Sequence, residues 1–304
     1  MIGSFSENLF YAHILISEQE LHIRMQLAEL FEADQISLVE PLFSDLCYVE
    51  MDELILNIPS DKVRILIDEG DDVLSFAVDA PDGTVKAACC HLRSPSDELF
   101  NRFNDIDGDV YQVPRIEFED AVRRYYCERL PALSLPAGED LNPDRFAITL
   151  DLVKSIVGDE KDVSCLDCCC GSGIGTHALR ALGLNPLSYD NDDALLARGL
   201  KEGRLLPDRT MWIDGRNIEH YLTEPVDCAF GFMLGEFQQF NEDDWNNIVG
   251  GFCSVADQAL MTVGTEREMD IISAWLTGAG MDHEIWENER DPIYDRWVCL
   301  AECG

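Results

Sequence analysis

A glycine-rich segment in the second half of the chain has the residue types of a ligand-binding loop. It reads Cys165-Leu-Asp-Cys-Cys-Cys-Gly-Ser-Gly-Ile-Gly-Thr176 and lies between a short apolar run and a helical pattern. Glycines let the backbone turn sharply and let a ligand approach the main chain. The helix that follows presents N–H groups without intrahelical partners, which can bind acceptor atoms of a ligand. Such a loop is not specific by itself, so the residues after it decide the interpretation.

Acidic residues end the next two predicted strands. Asp190 and Asn191 follow the first of these strands, and Asp214 and Gly215 follow the second. The carboxyl ends of parallel strands meet at one edge of a sheet, so both carboxylates are expected beside the glycine-rich loop. A carboxylate at Asp190 can accept hydrogen bonds from ribose hydroxyls, and one at Asp214 could accept from the exocyclic amine of adenine. The alternative is that each side chain only caps the helix after it.

The elements around these residues alternate between strand and helix. This alternation predicts an α/β fold, a doubly wound and mostly parallel sheet of seven strands with helices on both faces. Only a turn at 288–292 separates the last two strands, so they must form an antiparallel hairpin at one sheet edge. The predicted strands are 163–166, 186–189, 210–213, 226–230, 259–263, 283–286 and 297–301, and the predicted helices are 145–157, 177–182, 194–203, 242–257 and 266–277.

The first part of the chain has a different pattern, which predicts a smaller α+β domain. An amphipathic helix over 17–33 has Ser17 and Glu20 as a capping box. Three prolines and a glycine between 131 and 143 indicate an irregular connector, so we expect domains at 1–135 and 140–304. The other predicted elements are an antiparallel meander of strands at 62–68, 73–78 and 85–90, and helices at 96–103 and 116–130.

Taken together, the motifs of the second part resemble those of the class I S-adenosylmethionine-dependent methyltransferases. The segment from Asp167 to Gly173 is similar to the first motif of that family, and the terminal hairpin is similar to its reversed seventh strand. The resemblance covers about residues 140–304 and implies a Rossmann-like methyltransferase fold with S-adenosyl-L-methionine as the cofactor. It implies cofactor-binding roles for Asp167, Cys169, Gly171, Ser172, Gly173, Asp190, Asn191, Asp214 and Gly215.

Two departures from the family pattern bear on the acceptor of the methyl group. Cys169 stands where the family's loop has its first glycine, and Cys-Cys-Gly variants of this loop are similar to those of nucleic-acid methylases. The loop from Phe230 to Phe237 lacks the Asn/Asp-Pro-Pro-Tyr/Phe signature of amino-group methylases. This absence weakens an amine-methylating assignment and leaves the acceptor open.

The resemblance implies an in-line displacement that moves the methyl group from the cofactor to the acceptor. Much of the catalysis would come from positioning and desolvation. Some acceptors must also lose a proton, and Glu236, beside Phe232 and Phe237, is the candidate base. The alternative for Glu236 is an ordinary exposed loop carboxylate.

The chain is strongly acidic, with 59 Asp and Glu against 22 Lys and Arg and a net charge of −37. This charge repels polyanions at long range, which favours a small-molecule or protein acceptor over a nucleic acid. A local basic groove would restore the nucleic acid as an acceptor. The chain has neither an apolar run long enough to span a membrane nor a signal-peptide pattern, so we expect a cytoplasmic protein without a membrane partner.

The chain contains 12 cysteines, four of them at Cys165, Cys168, Cys169 and Cys170. In a long chain without an export signal, these are expected to be reduced thiols. Cys165 and Cys168 have the spacing of a metal-binding pair, but a zinc site usually needs a second pair. Only Cys89-Cys90-His91 in the other domain offers one, so we predict no metal site, with zinc or an iron–sulfur cluster as the alternative.

Three other functions stay open beside a methyltransferase that acts on a small molecule or a protein. An RNA or DNA methylase of the same fold is supported by the loop variant at Cys169 and would require a basic groove. A non-catalytic methyltransferase-like module would bind a ligand without turnover. A nicotinamide dehydrogenase would share the loop and Asp190, but its fold usually continues with a helical crossover where this chain has a hairpin.

Overall fold

The computed structural model describes residues 27–304 apart from 105, 107, 140 and 159–161. These residues form two compact units, one up to Leu133 and one from Ser134 onward. The capping box predicted at Ser17 and Glu20 lies outside the described residues. Residues 27–30, at the end of that predicted helix, are helical and lead into a turn.

A five-stranded sheet forms the centre of the first unit, with the strand order β1-β4-β3-β2-β5. Its strands are β1 (Ile36–Leu38), β2 (Val63–Ile67), β3 (Val73–Asp79), β4 (Val85–Cys89) and β5 (Gly108–Gln112). The antiparallel meander predicted for β2, β3 and β4 is confirmed. The sequence pattern missed β1 and β5, which pair in parallel with β4 and β2. The first is only three residues long, and the second is an almost wholly exposed edge strand without apolar alternation.

Short helices pack on this sheet. Helix α2 (Asp97–Asn104) places Leu99 and Phe103 in the core, and the centres of the Phe103 and Phe76 rings lie 4.5 Å apart. Helix α4 (Leu130–Leu133) occupies the start of the predicted irregular connector, and Pro131 fits there because proline is tolerated in the first turn of a helix. The helices are α1 (Asp52–Leu56), α2 (Asp97–Asn104), α3 (Arg115–Cys127) and α4 (Leu130–Leu133), with 3-10 turns at Phe43–Cys47 and Val49–Met51.

A seven-stranded sheet forms the centre of the second unit, with the strand order β11-β12-β10-β9-β6-β7-β8. Neighbouring strands from β10 to β8 are parallel, whereas β12 runs antiparallel to both β10 and β11. The predicted sheet and its terminal hairpin at one edge are therefore confirmed. The strands are β6 (Cys165–Cys168), β7 (Leu187–Asp190), β8 (Thr210–Trp212), β9 (Val226–Gly231), β10 (Ala256–Val263), β11 (His283–Glu287) and β12 (Trp297–Glu302).

One helix precedes these strands, and four others lie between them. Helix α5 (Pro143–Val157) begins after Asn142, whose side chain accepts hydrogen bonds from the N–H groups of Asp144 and Arg145. The predicted helix over 242–257 is too long, because the apolar residues near its end also fit the extended pattern of β10. None of the described helices could cross a bilayer. They are α5 (Pro143–Val157), α6 (Ile174–Ala181), α7 (Asp193–Lys201), α8 (Glu242–Ser254) and α9 (Glu266–Ala279), with 3-10 turns at Pro207–Arg209 and Gly215–His220.

The order of the strands determines where a ligand can bind. Phe230 of β9 pairs in register with Leu260 of β10, and Leu260 with Leu300 of β12, so the core continues across the sheet. From β6 the chain passes to β7 and β8 on one side and later to β9 and β10 on the other. In open α/β sheets, ligands bind at such a reversal, outside the carboxyl ends of the strands. The glycine-rich loop follows β6 at this place.

Candidate functional site

The glycine-rich loop leaves β6 through three residues with a left-handed backbone. Their φ angles are 53° at Cys169, 54° at Gly171 and 81° at Gly173. This region favours glycine, so Cys169 adopts a conformation that the family's glycine takes without cost. Gly173 is the N-cap residue of α6, and a Cβ atom there would lie 2.6 Å from Leu205. The turn is therefore closely packed and fixed before α6 begins.

Asp190 connects the end of β7 to this loop. Its Oδ2 accepts a hydrogen bond from the Gly171 N–H, and its Oδ1 accepts one from the Asp192 N–H, each at 2.8 Å. Asp192, and not Asp190, caps α7, because its side chain accepts from the Leu195 N–H. Burial raises the pKa of Asp190. A carboxylate has about four acceptor positions, so Asp190 keeps acceptor capacity for a ligand.

Asp167 lies at the third position of β6 and is buried. Its Oδ2 lies 2.5 Å from the hydroxyl of Thr176 on α6, and that hydroxyl lies 2.9 Å from Ser188 Oγ on β7. Burial raises the pKa of Asp167 to about 7, and the hydrogen bonds from Thr176 oppose this rise. The side chain is therefore held in one orientation and titrates near neutral pH.

A cavity of about 710 Å³ lies at this edge of the sheet. It brings together most of the predicted cofactor-binding residues, and it also has an apolar wall. The predicted residues that line it are Asp167, Cys169, Gly171, Ser172, Asp190, Asn191 and Gly215. The apolar wall includes Ile174, Leu195, Phe232, Trp245 and Ile248.

Two predicted residues, Gly173 and Asp214, do not line this cavity. Asp214 accepts hydrogen bonds from the main-chain N–H and the Nε of Arg216, each at 3.0 Å. These bonds lower the pKa of Asp214, and Arg216 also pairs with Asp244 at 2.7 Å. Asp214 thus caps the 3-10 turn that begins at Gly215, which was the alternative for this residue. An adenine contact of Asp214 stays a prediction from the sequence.

Glu236 lines a second and smaller cavity, of about 450 Å³, and not the first. Its side chain is exposed, and its main-chain carbonyl accepts a hydrogen bond from Asn241 Nδ2 at 3.1 Å. The two cavities share Met233 and Tyr294 among their lining residues, so they are neighbours. The role of Glu236 as a base stays a prediction.

Arg145 is a cavity residue that no motif predicted. It lies on α5, and its Nε donates to Asp295 Oδ2 at 3.2 Å. Its guanidinium lies 5.5 Å from the centre of the Tyr294 ring. Asp295 is fully buried and also accepts from the Thr262 hydroxyl at 2.6 Å. Among the described residues that line the larger cavity, Arg145 is the single basic side chain. The acidic ones are Asp167, Asp190 and Asp192.

The cysteines near the loop are thiols in the protein interior. Burial raises the pKa of Cys165 to about 12 and that of Cys168 well above its ordinary value. Metal ligation needs the thiolate, which this environment disfavours. Within the described ranges, no three His, Cys, Asp or Glu side chains are grouped so that they could hold a metal ion. All twelve cysteines of the chain are free of disulfide bonds.

No protein-family model and no curated protein matches the sequence. Similar solved structures include the magnesium protoporphyrin IX methyltransferase of Synechocystis PCC 6803 with bound S-adenosylmethionine (14% identity, TM-score 0.40, 67% of this chain and 90% of that chain). They also include CalS10, an amino pentose methyltransferase of Micromonospora echinaspora, likewise with bound cofactor (13%, 0.43, 55% and 100%). A third is an rRNA methylase of Streptococcus thermophilus (13%, 0.37, 54% and 98%).

At these identities the similarity concerns the fold alone. The fold itself rests on the strand order and on the reversed strand β12. Both are what the resemblance to the class I S-adenosylmethionine-dependent methyltransferases implies, so that resemblance is confirmed at the level of the fold.

Proposed function

We propose that this chain transfers a methyl group from S-adenosyl-L-methionine to a small-molecule or protein acceptor. One observation carries the proposal: the glycine-rich loop, Asp190 and Arg145 line a single cavity. This cavity adjoins the carboxyl ends of β6 and β7, where ligands bind in open α/β sheets.

The lining of the cavity fits the chemical groups of this cofactor. Asp190, which Gly171 holds in place, would accept hydrogen bonds from the ribose hydroxyls. Trp245 and Ile248 offer an apolar wall for the adenine ring. Arg145 would bind the carboxylate of the methionine part, because a guanidinium pairs well with a carboxylate. Asp167 would complement the positive charge of the amino group and the sulfonium.

When bound, the cofactor supplies an electrophilic methyl group. The contribution of the chain is then positional. Asp295 orients Arg145, and Gly171 orients Asp190, before any ligand is present. The apolar wall would exclude water from the bound reactants, which favours a displacement reaction. Glu236 would take the proton of an acceptor that has to lose one.

The charge of the site supports an acceptor other than a nucleic acid. Three aspartates and one arginine line the cavity, and the whole chain carries a net charge of −37. Binding of a polyanion needs clustered Lys and Arg. As parts of the same proposal, residues 1–135 help to select the acceptor, and the free cysteines suit a reducing cytoplasm.

The test is incubation of the protein with methyl-labelled cofactor and cell extract, followed by separation into small molecules, proteins and nucleic acids. We expect the label in the small-molecule or protein fraction, and clearly less label with Asp190→Asn when the cofactor is kept below saturation. Label in RNA or DNA would instead identify a nucleic-acid methylase. Cofactor binding without any transfer would identify a non-catalytic module.

A further inference from the structure

The smaller cavity adjoins the proposed cofactor cavity. The two share Met233, Leu234, Gly235 and Tyr294. The other walls of the smaller one come from the loop after β9, from the start of α9 and from the turn between β11 and β12. A molecule bound there would therefore lie directly beside a ligand in the larger cavity.

Two carboxylates and one guanidinium line the smaller cavity: Glu236, Glu268 and Arg267. Glu268 is partly buried, whereas Glu236 and Arg267 are exposed. Both oxygens of Glu268 accept hydrogen bonds, Oε2 from the Thr265 hydroxyl at 2.7 Å and Oε1 from the Phe237 N–H at 3.4 Å. A carboxylate has about four acceptor positions, so Glu268 keeps acceptor capacity for a ligand. The least hydrated charge of the cavity is therefore negative and held in place, and such a carboxylate binds a cationic N–H donor well.

The remaining wall is apolar and aromatic. The Phe237 ring is buried, and it packs against Trp245 at 5.3 Å and Trp275 at 5.2 Å between ring centres. Ile293, in the turn between β11 and β12, also lines the cavity and is 66% exposed. A volume of about 450 Å³ is in the range of small-molecule sites. The cavity thus suits a small molecule with an apolar part and a polar group.

We infer that this cavity binds the methyl acceptor, and that the acceptor is a small organic molecule with a positively charged amine or guanidine group. Glu268 is the residue that recognises the cation, and Glu236 adds to the negative potential. The cation is a recognition group and need not be the atom that is methylated. The inference rests on the proposed function, because that function gives the neighbouring cavity its ligand.

The test uses three probes with the same ring and different charge: benzylamine, benzyl alcohol and benzoate. Each is titrated onto the full chain in the presence of S-adenosylhomocysteine, and binding is followed by ligand-observed NMR. We expect benzylamine to bind most tightly and benzoate least. Glu268→Gln should weaken benzylamine binding about tenfold, the size expected for a lost charge-assisted hydrogen bond.

Glu266→Gln is the matched control, because Glu266 is an exposed residue of the same helical turn that does not line the cavity. Glu236→Gln is a second test variant at an exposed position and should weaken benzylamine binding in the same direction. Benzoate binding as tightly as benzylamine would overturn the inference, as would equal effects of Glu268→Gln and Glu266→Gln. The inference would also be overturned if benzylamine did not bind at about 10 mM, because a dissociation constant above this value is weaker than that of almost any specific site.

Titration of S-adenosylmethionine onto the same proteins separates the two proposals. Glu268→Gln should bind this cofactor as the unaltered chain does, because Glu268 does not line the larger cavity. If the unaltered chain did not bind the cofactor, the proposed function would fail, whichever probe bound in the smaller cavity.

Discussion

Arg145 and Asp295 are 150 residues apart in the sequence, and they form an ion pair with 3.2 Å between Nε and Oδ2. The pair joins the first helix of the second unit to the turn between its last two strands. Asp295 is fully buried, whereas the side chain of Arg145 is 14% exposed and lines the larger cavity. The arginine is thus oriented by a distant part of the chain.

Replacement of Arg145 by glutamine should weaken binding of S-adenosylmethionine by about 10- to 100-fold, because a charge-assisted hydrogen bond to the ligand is lost. Isothermal titration calorimetry measures this change. The control is Arg296→Gln, which removes a pair with Glu287 in which both side chains are 45% exposed. Such surface pairs contribute about 1 kcal/mol or less to stability. Unchanged affinity in Arg145→Gln would contradict the assignment.

The pKa of Asp167 predicts a dependence of cofactor affinity on pH. Burial raises this pKa to about 7, whereas an aspartate in an unfolded chain titrates near about 4. The folded protein therefore binds this proton more tightly than the unfolded chain does, which stabilises the fold at low pH. This stabilisation is lost as the pH rises from about 4 to about 7. The ionised form attracts a cationic ligand, so affinity should increase between about pH 6 and pH 8.

Asp167→Asn is the matching variant, because its amide does not titrate. Its affinity for S-adenosylmethionine should depend less on pH over the same range than that of the unaltered chain does, as measured by calorimetric titration. If the variant and the unaltered chain gave the same pH profile, another group would be responsible, and Asp167 would have no part in binding the cation.

A comparison of Asp190 with Asp192 tests the ribose contact. Asp190→Asn should lower cofactor affinity about tenfold or more, since one acceptor oxygen becomes an NH₂ donor. Asp192→Asn removes the same charge from the same cavity, but asparagine caps a helix as well as aspartate does. The two variants are compared by calorimetry, and equal losses would mean that only the net charge matters.

The left-handed backbone at Cys169 predicts an unusual tolerance for glycine. Cys169→Gly should change the free energy of unfolding by less than about 1 kcal/mol, because glycine takes this φ angle without strain. Cys169→Val should destabilise by about 2 kcal/mol, since a β-branched residue is disfavoured there. Urea unfolding gives both values. Cys303→Val is the control, because Cys303 is a partly buried cysteine without positive φ. It should lower the free energy of unfolding by less than Cys169→Val does.

The sheet of the second unit could be predicted because its determinants are local. The alternation of strands and helices implies parallel pairing, and the short turn before Trp297 leaves a hairpin as the only solution for the last two strands. Asp190 could be predicted for the same reason, since the end of β7 has to lie beside the loop after β6.

The residues that the sequence did not predict depend on longer or competing contacts. Arg145 reaches the cavity because of Asp295, and no local pattern links the two. Asp214 lies at the expected strand end, but its carboxylate accepts hydrogen bonds from Arg216, two residues later, and does not line the cavity. Glu268 becomes part of a cavity only through the packing of α9 beside the loop after β9. Spacing along the chain contains none of this information.

The most direct test of the account is a calorimetric titration of S-adenosylmethionine onto the unaltered chain, with NAD as the comparison ligand. We predict saturable binding of one S-adenosylmethionine per chain and no binding of NAD. Binding of NAD in place of S-adenosylmethionine, or binding of neither, would contradict the assignment of the larger cavity.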